Sequence, residues 1–399
     1  MNPVAMAINI FMLSVTVSQF VLAPGFNLES RSEETKLNLA VQIVYDRKFE
    51  NISKFRENGR YLDYFTTFLN IVELWFRDIK DLEIELTLHA ATEGPENDID
   101  HEPDEDEVSE ETTTDEESVE SREDENDEED EEEEEEQGES EEIDKTTTPY
   151  KPCRNRSVTM KKFKYHVETQ RNVYEGADIA LFVTGHCVYP EVGSNEEWKG
   201  LPETGSICTN HSVGVVHDDG KTFSGTRSAA MQIALMLGAK KYSEQNCTET
   251  DPTDGYLLSN MTGGGRSGLS ECSKTAIMKF LEDKKDQKCG KGTPTPAKHN
   301  AHLLAAQFYE AKQTDECRVY SSDAHNVTKC MPSEMSDLEN QYQYTCKVTC
   351  CNKTDDTYQS YVTNSADGTQ CDGSKICLSG NCINGTTSET LDAETNKNQ

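Results

Sequence analysis

Hydrophobic residues recur along the first part of the chain with two different periods. Between residues 37 and 45 they alternate with mostly polar neighbours, which predicts a half-buried strand. From Tyr61 to Ile79 they recur every three or four residues, which predicts one long amphipathic helix. The segment LEIELTLH alternates again and predicts a second strand. A strand, a helix and a strand in this order indicate the opening of an α/β sheet.

Further along the chain, similar patterns predict the rest of this sheet and its helices. A helix around VTMKKFKYHVETQ, a strand ADIALFVTG and a strand SVGVV follow one another. After the turn HDDG comes the segment SAAMQIALMLGAKKY, in which Gln232 is almost the only polar residue before the lysines. A helix that is apolar nearly all round belongs inside a core. Ser224 or Thr226 can cap its start, and Gly238 stands where a glycine would end it.

Negative charge is concentrated in one segment. The net charge is −37, but residues 93–144 hold 32 of the 75 acidic residues and one of the 38 basic residues. The segment EDENDEEDEEEEEEQGESEE cannot bury apolar surface and repels itself. We therefore predict a disordered acidic insert over 93–147, whereas the rest of the chain has the charge balance of an ordinary globular surface.

The start of the chain and its sequons indicate export. An apolar run from Val4 to Ala23 fits a signal peptide over 1–23, followed by a short leader over 24–35. A signal anchor is the alternative, because about 20 apolar residues can also span a bilayer. No other segment is long and apolar enough to do so. Eight N-x-[ST] sequons predict a glycosylated surface, at Asn51, Asn155, Asn210, Asn246, Asn260, Asn326, Asn352 and Asn384.

Fourteen cysteines lie on both sides of residues 291–302, a segment with Gly, Pro and Thr that we interpret as a linker. Six precede it and eight follow it, and even numbers suit two separately stapled domains. In an oxidising compartment disulfides are the default fate of these cysteines. We predict a first domain over 36–92 and 148–290, a cysteine-rich domain over 303–384 and a disordered tail over 385–399. The sequence leaves the connectivity of the second domain open.

Two segments carry a specific resemblance. The run SVGVVHDDGKTFSGTRSAAMQIALMLGA, followed by DGYLLSNMTGGGRSGLSECSKTAIMKFL, resembles the catalytic core of the reprolysin (adamalysin) branch of the metzincin zinc endopeptidases. It is most similar to the secreted members found in tick saliva. The likeness covers approximately residues 36–290 apart from the insert, and DGTQCDGSKICLSGNCI is similar to the end of the domain that commonly follows. The resemblance implies an α/β (α+β) metzincin-like domain with a mixed sheet, followed by a small disulfide-rich domain.

Proteases of this family carry the motif HExxHxxGxxH. Two histidines one helical turn apart and a third histidine bind zinc, and the glutamate is the general base. In register, this chain has Met231, Gln232, Leu235 and Lys241 at the four functional positions and keeps only the glycine, Gly238. The resemblance therefore implies a zinc site from which every ligand and the base are missing.

The replacements are unsuited to metal chemistry. Gln232 is an amide and cannot take a proton from water. Met231 and Leu235, one turn apart, would fill the metal site with apolar atoms, and Lys241 would repel a cation. The methionine expected in the Met-turn beneath the metal is also changed, since Leu258 stands there. We therefore predict no catalytic residue and no zinc cofactor, although the family implies zinc.

The family pattern also implies disulfides in the first domain. They would pair Cys208 with Cys289 and Cys247 with Cys272, which leaves Cys153 to pair with Cys187.

We predict a secreted pseudoprotease that acts by binding extracellular proteins, with no nucleic-acid partner and no membrane attachment after signal cleavage. The resemblance implies host proteins of haemostasis, fibrinolysis or immunity as targets. One alternative is an active zinc endopeptidase with unconventional ligands, but the nine histidines contain no H-x-x-x-H pair. Of these, His299 and His302 lie in the linker and His217 in a turn. A second alternative is an acidic arm that attracts cationic proteins by electrostatic steering.

Overall fold

The fold was taken from a computed structural model. It describes residues 35–56, 61–94, 153–189, 200–207, 209, 211–240, 255–259, 268–284, 303–321, 327–330, 346–354 and 357–385. The predicted signal peptide, the leader up to residue 34, the insert after Gly94, the linker and the tail after Gly385 lie outside the described residues. No helix in the described ranges is long and apolar enough to cross a membrane.

The elements of the first region follow one another in chain order. They are β1 (Thr35–Tyr45), α1 (Arg47–Ile52), α2 (Leu62–Glu73), β2 (Leu82–Glu93), β3 (Arg154–Asn155), α3 (Arg156–Thr169), a 3₁₀ turn (Arg171–Val173), β4 (Ile179–Thr184), β5 (Val188–Tyr189), β6 (Val213–His217), α4 (Thr226–Met236) and α5 (Glu271–Asp283).

The main sheet has the order β2-β1-β4-β6, and each neighbouring pair of strands is parallel. The short strands β3 and β5 form a separate parallel pair. Helix α2 connects β1 to β2, so the predicted strand, helix and strand are confirmed. The described strands of the main sheet include no antiparallel pair. The mixed sheet that the resemblance implies is therefore not seen among them.

The predicted long helix is shorter than its hydrophobic period suggested. Helix α2 ends at Glu73, not at Ile79. Beyond it, the backbone N–H groups of Trp75 and Phe76 bond to carbonyl oxygens three residues earlier, as in tight turns. Trp75, Phe76 and Ile79 nevertheless stay buried. The period therefore continues because the turns pack on the same core as the helix.

Both faces of the main sheet are covered. Leu181 and Val183 of β4 belong to a large hydrophobic cluster that also contains α2 and α4. Ala180 and Phe182, which alternate with them, belong to a smaller cluster with Phe163 of α3. All six residues of β4 are buried, as expected for a parallel strand with helices on both faces.

The C-terminal region is built from short helices, hairpins and disulfides. Its strands form two antiparallel sheets. All eight cysteines after the predicted linker pair with one another, which confirms a disulfide-rich region. The pairs are Cys317–Cys350, Cys330–Cys351, Cys346–Cys377 and Cys371–Cys382. The elements are α6 (Ala305–Ala311), α7 (Glu316–Tyr320), β7 (Val327–Lys329), β8 (Lys347–Thr354), β9 (Thr357–Asn364), β10 (Gln370–Asp372), β11 (Lys375–Leu378) and β12 (Asn381–Asn384).

The two regions share one core. Phe308 and Tyr309 of α6 belong to the same buried cluster as α2 and α4. The ring centroid of Phe308 lies 4.9 Å from that of Phe55 and 5.3 Å from that of Phe223. The Tyr309 hydroxyl donates to the carbonyl oxygen of Lys221 at 2.8 Å. The C-terminal region is therefore stapled by its own disulfides but packs into the core of the first.

Candidate functional site

Helix α4 carries the positions at which the resemblance implies a zinc site. Leu235 is fully buried, and Leu258 from the Met-turn position is 4% exposed in the same hydrophobic cluster. Met231 is partly buried and packs against that cluster. Lys241 lies outside the described residues. Met231, Leu235 and Leu258 thus all belong to or pack against the main hydrophobic cluster, and their side chains offer only hydrocarbon and one thioether.

Gln232, at the position where the resemblance implies the general base, is fully buried, and both ends of its amide are hydrogen-bonded. Its Oε1 accepts from the Val215 N–H at 2.9 Å, and its Nε2 donates to the Val215 carbonyl at 2.6 Å and to the Ser228 hydroxyl at 3.3 Å. Among the described strands β6 is at an edge of the main sheet, so the amide takes the place of a neighbouring strand. A carboxylate could accept the first of these bonds but could not donate the second. Gln232 therefore clamps α4 to β6.

The glycine in the segment SVGVV is explained by this clamp. A Cβ on Gly214 would lie 2.8 Å from Gln232 Oε1 and 2.8 Å from Leu181 Cδ2. A glycine inside a strand often marks a close approach by another part of the chain. The sequence carried two signals of this contact: an amide in an otherwise apolar helix, and a glycine in the preceding strand. Neither signal shows that the two residues lie against each other.

The two residues predicted to cap the N-terminus of α4 do not do so. The N-cap is Gly225, which makes no side-chain bond. Its N–H donates instead to Asp218 Oδ2 at 2.8 Å, from the turn that follows β6. The hydroxyls of Ser224 and Thr226 bond to backbone groups of that turn and so are not available as caps. The predicted glycine at the other end is present, because Gly238 follows the helix with φ of +90°.

Asp218 joins α2 to the start of α4. Its side chain is fully buried, and its Oδ1 accepts from the Tyr64 hydroxyl at 2.7 Å and from the Gly220 N–H at 2.8 Å. The Tyr64 oxygen in turn accepts from the Phe223 N–H at 3.1 Å. Burial raises the pKa of Asp218 to about 6, and the charge of Asp219 adds to the effect. Sequence analysis predicted only a turn here and gave no role to Asp218.

The histidines and cysteines of the described residues do not assemble a replacement metal site. One group of three side chains is close enough to share an ion, but its members, Cys346, Cys371 and Cys377, are all disulfide-bonded. His217 Nδ1 lies 3.2 Å from the carbonyl oxygen of Thr184. His299 and His302 lie outside the described residues.

The structure pairs Cys153 with Cys187, as expected. Cys272 is also disulfide-bonded. The other cysteines of the implied pairs, Cys208, Cys247 and Cys289, lie outside the described residues.

The predicted glycosylation sites have different surroundings. Asn51 and Asn384 are exposed. Asn155 is the N-cap of α3, where its Oδ1 accepts two backbone N–H groups. Asn352 is partly buried, and its Oδ1 is buried without a hydrogen bond among the described groups. The other four lie outside the described residues, at Asn210, Asn246, Asn260 and Asn326.

No family model and no curated protein matches the chain. One solved structure, described as "Structure of a chaperone-substrate complex", aligns with a TM-score of 0.33 and 9% sequence identity. The alignment covers 59% of this chain and 29% of that chain, so it spans less than a third of the other protein. A likeness of this size supports no inference about fold or function.

Proposed function

We propose that this protein is a secreted pseudoprotease: a binding protein on a metzincin-like scaffold that carries out no proteolysis. The observation that carries the proposal is the Gln232 clamp. The residue at the general-base position uses both ends of its amide to bond Val215 and is closed off from solvent. A group in this state can neither hold nor activate a water molecule.

The surroundings of the clamp support the same proposal. Leu235 and Leu258 are buried in the core, and Met231 packs against it. Met231 and Leu235, at two of the implied ligand positions, offer no nitrogen, thiolate or carboxylate that zinc could bind. Apolar packing in their place stabilises the domain without a metal, which is useful to a scaffold that presents a binding surface.

Secretion is supported by the chemistry of the cysteines. Every cysteine among the described residues is in a disulfide. Such a set of disulfides persists in an oxidising compartment. The exposed sequons at Asn51 and Asn384 fit the same route. The targets we propose are extracellular proteins, and their identity as host proteins of haemostasis or immunity rests on the resemblance alone.

A proteolysis assay tests the absence of catalysis. The full chain, purified from a secretory host, is incubated with casein, with and without a zinc chelator. We expect no cleavage that the chelator abolishes. Chelator-sensitive cleavage would support the alternative of an active zinc endopeptidase with unconventional ligands.

A second experiment separates binding by the folded part from binding by the acidic insert. The full chain and a chain without residues 93–144 serve as matched baits in plasma at low and moderate salt. A protein that both baits retain at both salt concentrations supports the proposal. A partner that is lost on deletion and weakened by salt favours the acidic arm, whose electrostatic attraction salt screens.

A further inference from the structure

Helix α3 carries more positive charge than the other helices of the described residues. It has four basic residues and one acidic residue, whereas α5, which is of similar length, has two basic and three acidic residues. Arg171 adds a further positive charge just beyond the end of α3. The first turn of α3 contains no acidic side chain, so no carboxylate on the helix offsets the positive end of its dipole. A surface of this charge attracts anions.

The lysines of α3 lie on the side of the helix that faces away from the main sheet. On the other side Phe163 is fully buried, in the smaller hydrophobic cluster with β4. Lys161 is exposed, and Lys162 and Lys164 beside it are partly exposed. Lys164 Nζ lies 3.0 Å from Glu203 Oε1, in a surface ion pair of a kind that contributes little stability. We call Lys161, Lys162 and Lys164 the basic face of α3.

The acidic insert leaves and rejoins the described chain beside this helix. At its start, the Gly94 N–H donates to the carbonyl oxygen of Tyr45 at 2.8 Å. Just after it, Arg154 Nη2 lies 3.6 Å from Asp46 Oδ2. Tyr45 and Asp46 are consecutive residues at the end of β1, so the two ends of the insert lie close together. Helix α3 begins two residues after Arg154.

The most acidic part of the insert is close enough along the chain to reach the whole of α3. Thirteen of the fourteen residues from 123 to 136 are acidic, and 16 residues separate this run from Cys153. An extended chain of that length spans about 50 Å, whereas the 14 residues of α3 span about 21 Å. A partner in the same chain also acts at a high effective concentration.

We propose that the acidic residues of 123–136 bind in cis to the basic face of α3. Charge complementarity and the position of the two ends of the insert support this occupant over an unattached anion. The insert then covers the basic face against external polyanions, and the same contact keeps its carboxylates from external cationic proteins. The proposal uses no residue of the implied zinc site and is independent of the pseudoprotease proposal.

Zero-length cross-linking of the full chain tests the proposal. A carbodiimide joins a carboxylate to a lysine amine only where the two groups are in contact. We expect amide links from residues 123–136 to Lys161 or Lys162 in the monomer fraction at low salt. They should become about fivefold fewer or less at about 1 M salt, where charges are screened beyond about 3 Å. Lys279, an exposed lysine of α5, is the internal control and should form few links.

Binding to immobilised heparin, a sulfated polyanion, tests whether the basic face is covered. In one variant of the full chain, the acidic residues of 123–136 are replaced by their amides, Glu→Gln and Asp→Asn. This neutralised chain should elute from heparin at higher salt than the parent. Adding Lys161→Glu and Lys162→Glu should abolish the gain, whereas the matched pair Lys279→Glu and Lys284→Glu on and just after α5 should keep most of it. Melting curves establish that each chain is folded.

Four results would overturn the proposal. The first is a parent chain that forms no links between 123–136 and the basic face at low salt. The second is a chain in which Lys279 is linked as often as Lys161, and the third is links that occur only between two chains. The fourth is a parent that binds heparin as strongly as the neutralised chain, because the basic face would then be open to an external polyanion.

Discussion

At the scale of single residues, Gln232 determines how α4 meets the sheet. Its amide satisfies an N–H and a carbonyl of Val215 that would otherwise be left unpaired inside the protein. Unpaired buried backbone groups are rare in folded proteins because each costs free energy. The sequence shows that an amide stands at this position in an otherwise apolar helix. It could not reveal the clamp, because the clamp depends on which strand edge lies opposite the helix.

Substitution of Gln232 tests the clamp. Gln232→Met makes neither bond, and Gln232→Glu keeps the shape but can donate to Val215 only if its buried carboxyl takes up a proton, which costs free energy at pH 7. Each should lower the free energy of unfolding by about 2–4 kcal/mol. The matched control is Ser228→Ala, which removes the longer bond at 3.3 Å and should cost less than about 1 kcal/mol. Urea denaturation at pH 7 measures the free energy of unfolding of the three variants. A Gln232→Met chain as stable as the parent would refute the clamp.

Asp218 should make stability depend on pH. Burial raises its pKa from the ordinary value of 3.8 to about 6 in the folded chain, so the folded state holds this proton more tightly than the unfolded state does. The stabilising contribution is complete below about pH 4 and is lost as the pH rises through about 6. The free energy of unfolding should therefore gain from Asp218 when the pH falls from 7 to about 5.

The variant Asp218→Asn isolates this contribution. It should be less stable than the parent because one oxygen acceptor becomes a donor, and its pH dependence between about 5 and 7 should be flatter. Denaturation at several pH values gives, for each of the two chains, the slope of the free energy of unfolding against pH. Equal slopes in the two chains would show that Asp218 titrates normally.

At the scale of elements, the end of α4 depends on Gly238. Its φ of +90° is in the left-handed region, and a Cβ there would lie 2.6 Å from Phe280 Cγ of α5. Gly373 is the matched control, because its φ is +55° and a Cβ there would meet nothing within 4 Å.

Both alanine variants introduce backbone strain, but only Gly238→Ala also forces α4 away from α5. We expect a loss of about 1 kcal/mol for Gly373→Ala and about 3 kcal/mol or more for Gly238→Ala. Chemical denaturation of the parent and of both alanine variants measures the two losses in the free energy of unfolding. Equal losses would show that contact with Phe280 does not matter.

The strands and the buried helix were predictable because their patterns are local. Alternation predicted β1 and β2, and continuous apolar runs predicted β4 and β6. The end of α2 at Glu73 was not predictable, since the turns with Trp75 and Phe76 keep the helical period. The cap of α4 was missed because its acceptor, Asp218, precedes Gly225 by seven residues and reaches back from a turn.

At the scale of the whole molecule, the two cysteine-defined regions behave as one folded unit. The rings of Phe55, Tyr64, Phe223 and Phe308 form a continuous cluster from the first region into α6. The sequence indicated a linker and an even number of cysteines on each side, but contacts between residues so far apart leave no local pattern. The main sheet and its neighbouring core were therefore predictable from the sequence. The packing of α6 against that core was not.

The variant Phe308→Ala tests the packing of α6 against the core of the first region. Phe308 is fully buried, so its truncation should lower the free energy of unfolding by about 3–5 kcal/mol. Calorimetry should show one transition that moves as a whole to lower temperature. Tyr165→Ala on the surface is the control and should change stability by less than about 0.5 kcal/mol. Two transitions, with the larger unchanged by Phe308→Ala, would mean that the regions unfold independently.

Zinc content tests the central proposal most directly. The parent chain and the triple variant Met231→His, Leu235→His and Lys241→His are dialysed against zinc and then against buffer, and bound metal is measured. We predict no retained zinc in the parent and about one zinc ion per chain in the triple variant, because three histidines and a water complete a tetrahedral site. Stoichiometric zinc in the parent would contradict a pseudoprotease, and a folded triple variant that binds none would contradict the metzincin register.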